Sequence, residues 1–434
     1  MGGGIHGTHQ ALVLLDAGVP GDRLVILDPH SRLLARWKEW TSRTGMRYLR
    51  SPGVHHIGLA PFDLFRWAGG RRRNPETFRG RVRRPSLEVF NRFSSQVVEG
   101  WGLESRHRRG QLTDVRSVQG GLEVHTDRGP LRTRHLLLST GPEPPAFDEW
   151  EWTREGIWPQ RVHHLFGPSF PFREIVDRAH RSGRPVAVVG GGISAGHLAL
   201  RFIGEGCCVT FLSRHPLREH RYDSEPGWLG PRNLRSFWQE SCPSRRRRMI
   251  REARHRGSVP PALARSLRAA SNRGALELLL GVEVIGPASV TRPVISVRSI
   301  PVPAEKGERR LLGPDPEPVE PGPPVRGSTP IPPKTSIDQR LQISSLILAT
   351  GLSSGFGGEP SISGMASRLG LPVGPCGTPL TDRELHWGKG IHVSGPLAEM
   401  ELGPVARNIV GARMAGERLR QKVEEVSQTR KASG

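Results

Sequence analysis

Val186-Ala-Val-Val-Gly-Gly-Gly-Ile-Ser-Ala-Gly-His-Leu-Ala-Leu200 is an apolar run that ends on three glycines and passes straight into a helical pattern. That order predicts a strand, a tight turn and a helix. Gly190 lets the chain turn sharply, Gly192 removes the side chain that would block a pyrophosphate, and Ala195 keeps the helix close to the strand. An anionic phosphate can then sit on the helix N-terminus. The next apolar run, Cys208-Val-Thr-Phe-Leu212, supplies a second strand and stops at Ser213-Arg214. A cation there, where a dinucleotide fold holds the adenosine ribose, suits the 2′-phosphate of NADPH.

A second G-x-G-x-x-G opens the chain, with Gly2, Gly4 and Gly7 feeding an amphipathic helix over Thr8–Gly18. Arg23-Leu-Val-Ile-Leu-Asp28 is then a strand that ends in an acid. A carboxylate in that place hydrogen-bonds the ribose of an unphosphorylated adenosine, as in FAD. The strand that should lead into this turn is missing from the sequence as given, since Met1 alone precedes Gly2. We therefore expect the recorded start to lie downstream of the true one.

Composition narrows the class. A chain of 434 residues holds two or three full cores, while 53 glycines, 39 prolines and 35% hydrophobic residues require a long polar segment. The formal charge of +22 and the runs Arg71-Arg72-Arg73 and Arg245–Arg248 invite a nucleic-acid reading. Lysine, however, stands at 38, 306, 334, 389, 422 and 431 alone, and the arginines are scattered, so solvated faces are expected and no nucleic-acid partner. The cysteines at 207, 208, 242 and 376 make neither a CxxC pair nor a zinc pattern, so no metal is expected and a reducing, cytoplasmic setting fits. No apolar stretch approaches the roughly 20 residues of a membrane span.

Further along, Trp37-Lys-Glu-Trp40, Gly45-Met46 and Ser51-Pro-Gly53 read as a loop-rich insertion before a helix over Leu87–Val98. Gln111 to Leu138 alternates as a meander and closes on Ser139-Thr140-Gly141, a strand end that lets backbone approach a dinucleotide. Trp158 to Phe172 reads as a connector. Its pair His163-His164 has no carboxylate or cysteine at ligand spacing, so a loop pair is favoured over a metal site. Trp228 either lines a pocket or packs a loop, and helices are expected over Leu234–Glu240, Arg245–Arg254 and Pro261–Ala270. Val282–Ile285 and Val294–Val297 form a second meander, interrupted by a proline-rich segment from Pro301 to Lys334. Gln342 to Ala349-Thr350-Gly351 is a second strand ending in T-G, expected to return the chain to the first domain. Gly390–Gly395 is a strand into a glycine, and Leu402-Gly403-Pro404 opens a long helix, Val405–Val423.

The order of fingerprint, acid-ended strand, Trp and Gly-Met segment, S-P turn, second fingerprint and two T-G strand ends resembles the flavin- and NADPH-dependent monooxygenases, nearest to the N-hydroxylating ornithine/lysine branch. The resemblance implies an α/β fold with two Rossmann-like dinucleotide-binding domains of the three-layer FAD/NAD(P) type. The FAD domain would comprise 1–165 and 336–434, with an NADPH domain at 166–335 inserted in it. FAD would contact Gly2, Gly4, Gly7, Asp28, Thr140, Gly141, Gly395, Leu402 and Gly403; NADPH would contact Gly190, Gly192, Ala195, Ser213 and Arg214; Thr350 and Gly351, on the strand expected to return to the first domain, would also be cofactor-binding. The final strand and helix would lie against the flavin, with the positive helix end stabilising the reduced ring. The implied activity is hydroxylation of a small nucleophilic substrate with O2. No catalytic acid or base is nominated. A flavin reductase or oxidase, and a degenerate non-enzymatic flavoprotein, stay open as rivals; a disulfide reductase lacks its paired redox cysteine.

Overall fold

The computed structural model describes residues 1–143, 158, 160–289, 291–300, 339–352 and 360–432. Valine holds three of the four places in Val186–Val189, and this strand is the middle of a five-stranded parallel sheet. The sheet runs Leu276–Leu280, Val209–Ser213, Val186–Val189, Ser345–Leu348, Val162–His164. Its central strands are buried on both faces, as continuous β-branched and apolar runs require. Helices Phe172–Ser182, Ile193–Gly204 and Pro261–Asn272 cover one face through Ile175, Leu198, Phe202 and Leu267. The other face carries an antiparallel meander of Val282–Pro287, Val294–Ser299 and Gln339–Gln342, whose Ile295 and Val297 pack on Ala187, Leu212 and Leu346. This is the three-layer Rossmann-like α/β arrangement expected of the chain.

Two strands of that sheet correct the sequence reading. Val162–His164, expected to be a connector, pairs in parallel with Leu346–Leu348, because its apolar Val162 joins the core and the edge position tolerates the two histidines. Ser345–Leu348 pairs with Val186–Val189 and so stays in the second sheet instead of returning the chain to the first domain. The crossings at 165 and 336 therefore shift outward, and the proline-rich 301–334 lies outside the described residues. Trp37 to Trp40, expected in a loop-rich insertion, lies in the helix Ala35–Thr44, capped by Gly45 at φ 73°.

The first unit is assembled around the opening glycines. Helix Ile5–Asp16 leaves the turn and ends before Gly18, whose φ of 91° is a left-handed stop. Ile26–Asp28 pairs in parallel with His107–Arg109, and Leu136–Leu138 pairs in parallel with Ile391–Val393. These two small sheets share no strand. Met1 lies between them: its amine donates to Leu137 O at 2.7 Å, its carbonyl accepts from Ser139 N at 2.8 Å, and Gly2 N donates to Leu27 O at 2.8 Å. A meander of Leu112–Val118, Gly121–Thr126 and Leu131–Thr133 follows, as expected from its alternation.

The long last helix spans Ile409–Ala432, four residues later than expected, because Gly403 at φ 75° and the turns over 404–407 redirect the chain first. Pro404 thus sits in a turn and not in the first helical turn. The helix packs closely on Ile5–Asp16: a β-carbon at Gly416 would stand 2.9 Å from Val13 Cγ2. Arginines fasten the units together. Arg50 Nη2 donates to His220 O at 2.7 Å and to Ser258 Oγ at 3.0 Å, and Arg201 Nη1 donates to Arg43 O at 2.7 Å and Ser42 O at 2.9 Å. Part of the cationic surplus thus serves backbone carbonyls between the units.

Candidate functional site

The second glycine turn needs its glycines for space as well as for angle. Gly190 has φ 142°, and a β-carbon on it would overlap the carbonyl oxygen of Ala349 and come within 2.9 Å of its carbon. Backbone contact here holds the turn against the end of the neighbouring strand: Ala349 N donates to Val189 O at 2.8 Å. Gly192 is the N-cap of helix Ile193–Gly204 and provides no side-chain cap, so the first-turn N–H groups remain for an anion. Ala195 is fully buried behind the turn, where the helix meets the strand. Thr350 is exposed beyond Ala349, and Gly351 follows at φ 98°.

At the far end of Val209–Ser213 the picture is more specific than the sequence suggests. Ser213 Oγ donates to His215 O at 2.8 Å, so this hydroxyl shapes the strand end, while Arg214 is exposed. His215 is a residue that sequence reasoning missed. A β-carbon on Gly191 would overlap its ring, and one on Gly257 would lie 2.5 Å from its Nε2. Gly257 in turn backs Gly192, 3.7 Å from where that residue's β-carbon would be. The signal that could have found this contact is the glycine at 257, isolated in an arginine-rich stretch.

The first turn repeats the same relation. Gly2, at φ 97°, would drive a β-carbon onto the carbonyl of Ser139, and a β-carbon on Gly7 would overlap the carbonyl of Gly2. Gly4 is an N-cap without a side-chain cap, leaving the N-terminus of Ile5–Asp16 open to phosphate. Asp28 accepts from Gly3 N at 2.6 Å and from His30 N at 2.9 Å, and its carboxylate keeps acceptor capacity at the turn. Thr140 and Gly141 follow Ser139; Arg36 reaches Glu143 at 2.8 Å beside them. Gly395, at φ 71°, approaches the turn from the last strand, where its β-carbon would be 3.6 Å from the His6 ring.

Gly2, Gly4, Gly7, Asp28, Thr140, Gly141 and Gly395 thus converge, and so do Gly190, Gly192, Ala195, Thr350 and Gly351. Leu402 lies in the apolar core with Leu138 and Val393, and Gly403 packs toward Leu234 and Trp228, 3.3 and 3.6 Å from where its β-carbon would be. Trp228 is 8% exposed and edge-on to Phe237 at 5.9 Å, so it packs the joint between the units. Beside it Glu399, 1% exposed, binds Arg247 at 2.8 Å, Arg254 at 3.3 Å and Arg407. Arg254 continues to Asp223 at 2.9 Å. No cluster of metal-ligating side chains occurs among the described residues, and no described helix is long and apolar enough to cross a membrane.

Two uncapped helix starts, each behind a glycine turn and each against a T-G strand end, define a chain with the fold of the two-dinucleotide flavoproteins. Among solved structures, the chain is similar to the ornithine N-hydroxylase of Kutzneria sp. 744, described with reduced FAD, NADP+ and L-ornithine, over 98% of both chains at 15% identity and TM-score 0.67. It is likewise similar to an ornithine hydroxylase from Pseudomonas aeruginosa (97% of both chains, 14% identity, TM-score 0.67). The bacillithiol disulfide reductase of Bacillus cereus matches over 98% of this chain and 97% of its own at 14% identity and TM-score 0.56. No family profile matches the sequence, and no curated protein matches it.

Proposed function

We propose that this chain is an FAD- and NADPH-dependent oxidoreductase, with FAD on the Gly2–Gly7 turn and NADPH on the Gly190–Ala195 turn. In this division the FAD unit comprises 1–143 and 360–432, and the NADPH unit 160–289, 291–300 and 339–352. The observation that carries the reading is the repeated cradle. In each unit a glycine turn lies in backbone contact with the end of a neighbouring strand, where a β-carbon would overlap a carbonyl, and in each that turn leads into a helix start without a side-chain cap. Helix starts of this kind favour the negative charge of a pyrophosphate. The sites differ where the riboses would lie, with the carboxylate of Asp28 in one and the exposed cation Arg214 in the other.

We further propose that the reaction is hydroxylation of a small nucleophilic substrate with O2. When bound, the flavin supplies the redox and oxygen chemistry; the protein binds, orients and excludes water. The higher structural similarity to the ornithine hydroxylases than to the disulfide reductase supports this, as does a sequence without a CxxC pair. The test is oxygen uptake and peroxide release with NADPH and a panel of amines, amino acids and sulfides. A hydroxylase consumes oxygen faster with its substrate while releasing less than stoichiometric peroxide. Full peroxide yield with every candidate would instead identify an oxidase, and electron delivery to a dye without oxygen uptake a reductase.

A further inference from the structure

His6 stands between Gly4 and Gly7 of the first turn, half-buried, and both of its ring nitrogens are used. Nε2 is 3.1 Å from Asn408 O, and a carbonyl can only accept, so Nε2 carries the proton. Nδ1 is then bare and accepts from Ser394 Oγ at 3.0 Å. Ser394, fully buried, accepts in turn from Gln10 Nε2 at 3.4 Å, and Gln10 Nε2 also donates to Ala412 O at 2.7 Å. The donors therefore run in one direction, Gln10 to Ser394 to His6 to Asn408, and they fix a single tautomer. Both ring nitrogens of His6 and the Ser394 hydroxyl are paired, while Gln10 Oε1 is buried without a partner, so the geometry of the contact is specified at His6 and Ser394.

The chain ties three segments. His6 belongs to the glycine turn, Ser394 ends the Ile391–Val393 strand just before Gly395, and Asn408 immediately precedes the helix Ile409–Ala432. We infer that His6 is a positioning residue for the flavin: it holds the Ser394–Gly395 turn and the start of the last helix against the first glycine turn, so that this positive helix end faces the reduced ring system. The inference rests on the assignment of FAD to the first turn. Anionic reduced flavin gains more from an aimed helix end than the neutral oxidised form does.

The test compares wild type with His6→Leu, His6→Gln and Ser394→Ala, measuring the Kd for oxidised FAD by flavin fluorescence and the midpoint potential by dye equilibration. In His6→Leu, reduced FAD is expected to bind weaker by about tenfold more than oxidised FAD does, and the potential to move negative. His6→Gln keeps an N–H for Asn408 O and restores most of the potential. Ser394→Ala, which leaves the ring in place, shifts it part of the way. A folded His6→Leu protein with the wild-type potential overturns the inference. If His6→Leu does not fold, a wild-type potential in Ser394→Ala overturns it. Wild-type protein that binds no FAD would overturn the cofactor assignment itself, and this role of His6 with it.

Discussion

Gly190 and Ala349 touch through backbone alone: the turn of the second fingerprint rests directly on the carbonyl at the end of the neighbouring strand. Gly2 and Ser139 repeat the contact in the first unit. Alanine at 190 meets both a φ of 142° and the Ala349 carbonyl, so Gly190→Ala is expected to cost about 1–3 kcal/mol from backbone strain alone. Urea unfolding checks the loss. FAD content is expected to persist while reduction by NADPH fails, since the first turn is untouched.

Coenzyme choice is expected to follow Arg214. It is exposed at the end of Val209–Ser213, where the ribose would lie, and a charge-assisted contact to a 2′-phosphate is worth about 1.5–3 kcal/mol. Arg214→Ala is expected to lower the NADPH to NADH preference in flavin reduction by roughly tenfold or more. An unchanged ratio would assign the phosphate to another cation.

Glu399→Gln is expected to be severely destabilising. The carboxylate is 1% exposed and answers Arg247, Arg254 and Arg407, so its neutralisation takes one buried negative charge away from three guanidinium groups. Breaking such a cluster costs about 3–5 kcal/mol. The denaturant midpoint measures it, and a shift near zero would mean that water reaches the cluster freely.

Acid is expected to unfold the protein well above the carboxylate range. Burial pushes His6, His9, His56, His197 and His392 down to about 4 each. Between pH 4 and the unfolded value of 6.5 the unfolded chain binds more protons, so stability rises with pH across that window and is lost as pH falls through it. Each histidine adds a slope of up to about 1.4 kcal/mol per pH unit. Thermal melts from pH 7 to 4 check the sign.

Both glycine turns and both T-G strand ends were legible because each requires a residue type that few other arrangements tolerate. Val162–His164 was not: three residues, two of them histidine, carry no period that separates an edge strand from a loop. The start of the last helix was misplaced because Pro404 suits a first turn, and a positive φ at Gly403 leaves no mark in the sequence beyond glycine itself. His6, His215 and Glu399 went unrecognised for a common reason. Their partners lie far along the chain, and neither periodicity nor local spacing encodes such pairs.

The proposed function requires the two turns of one chain to hold FAD and NADPH within reach of hydride transfer. Anaerobic titration of the FAD-loaded protein with NADPH tests it most directly. The account predicts that the oxidised flavin band bleaches with one NADPH per flavin; protein that binds no flavin, or bound flavin that NADPH leaves oxidised, would contradict it.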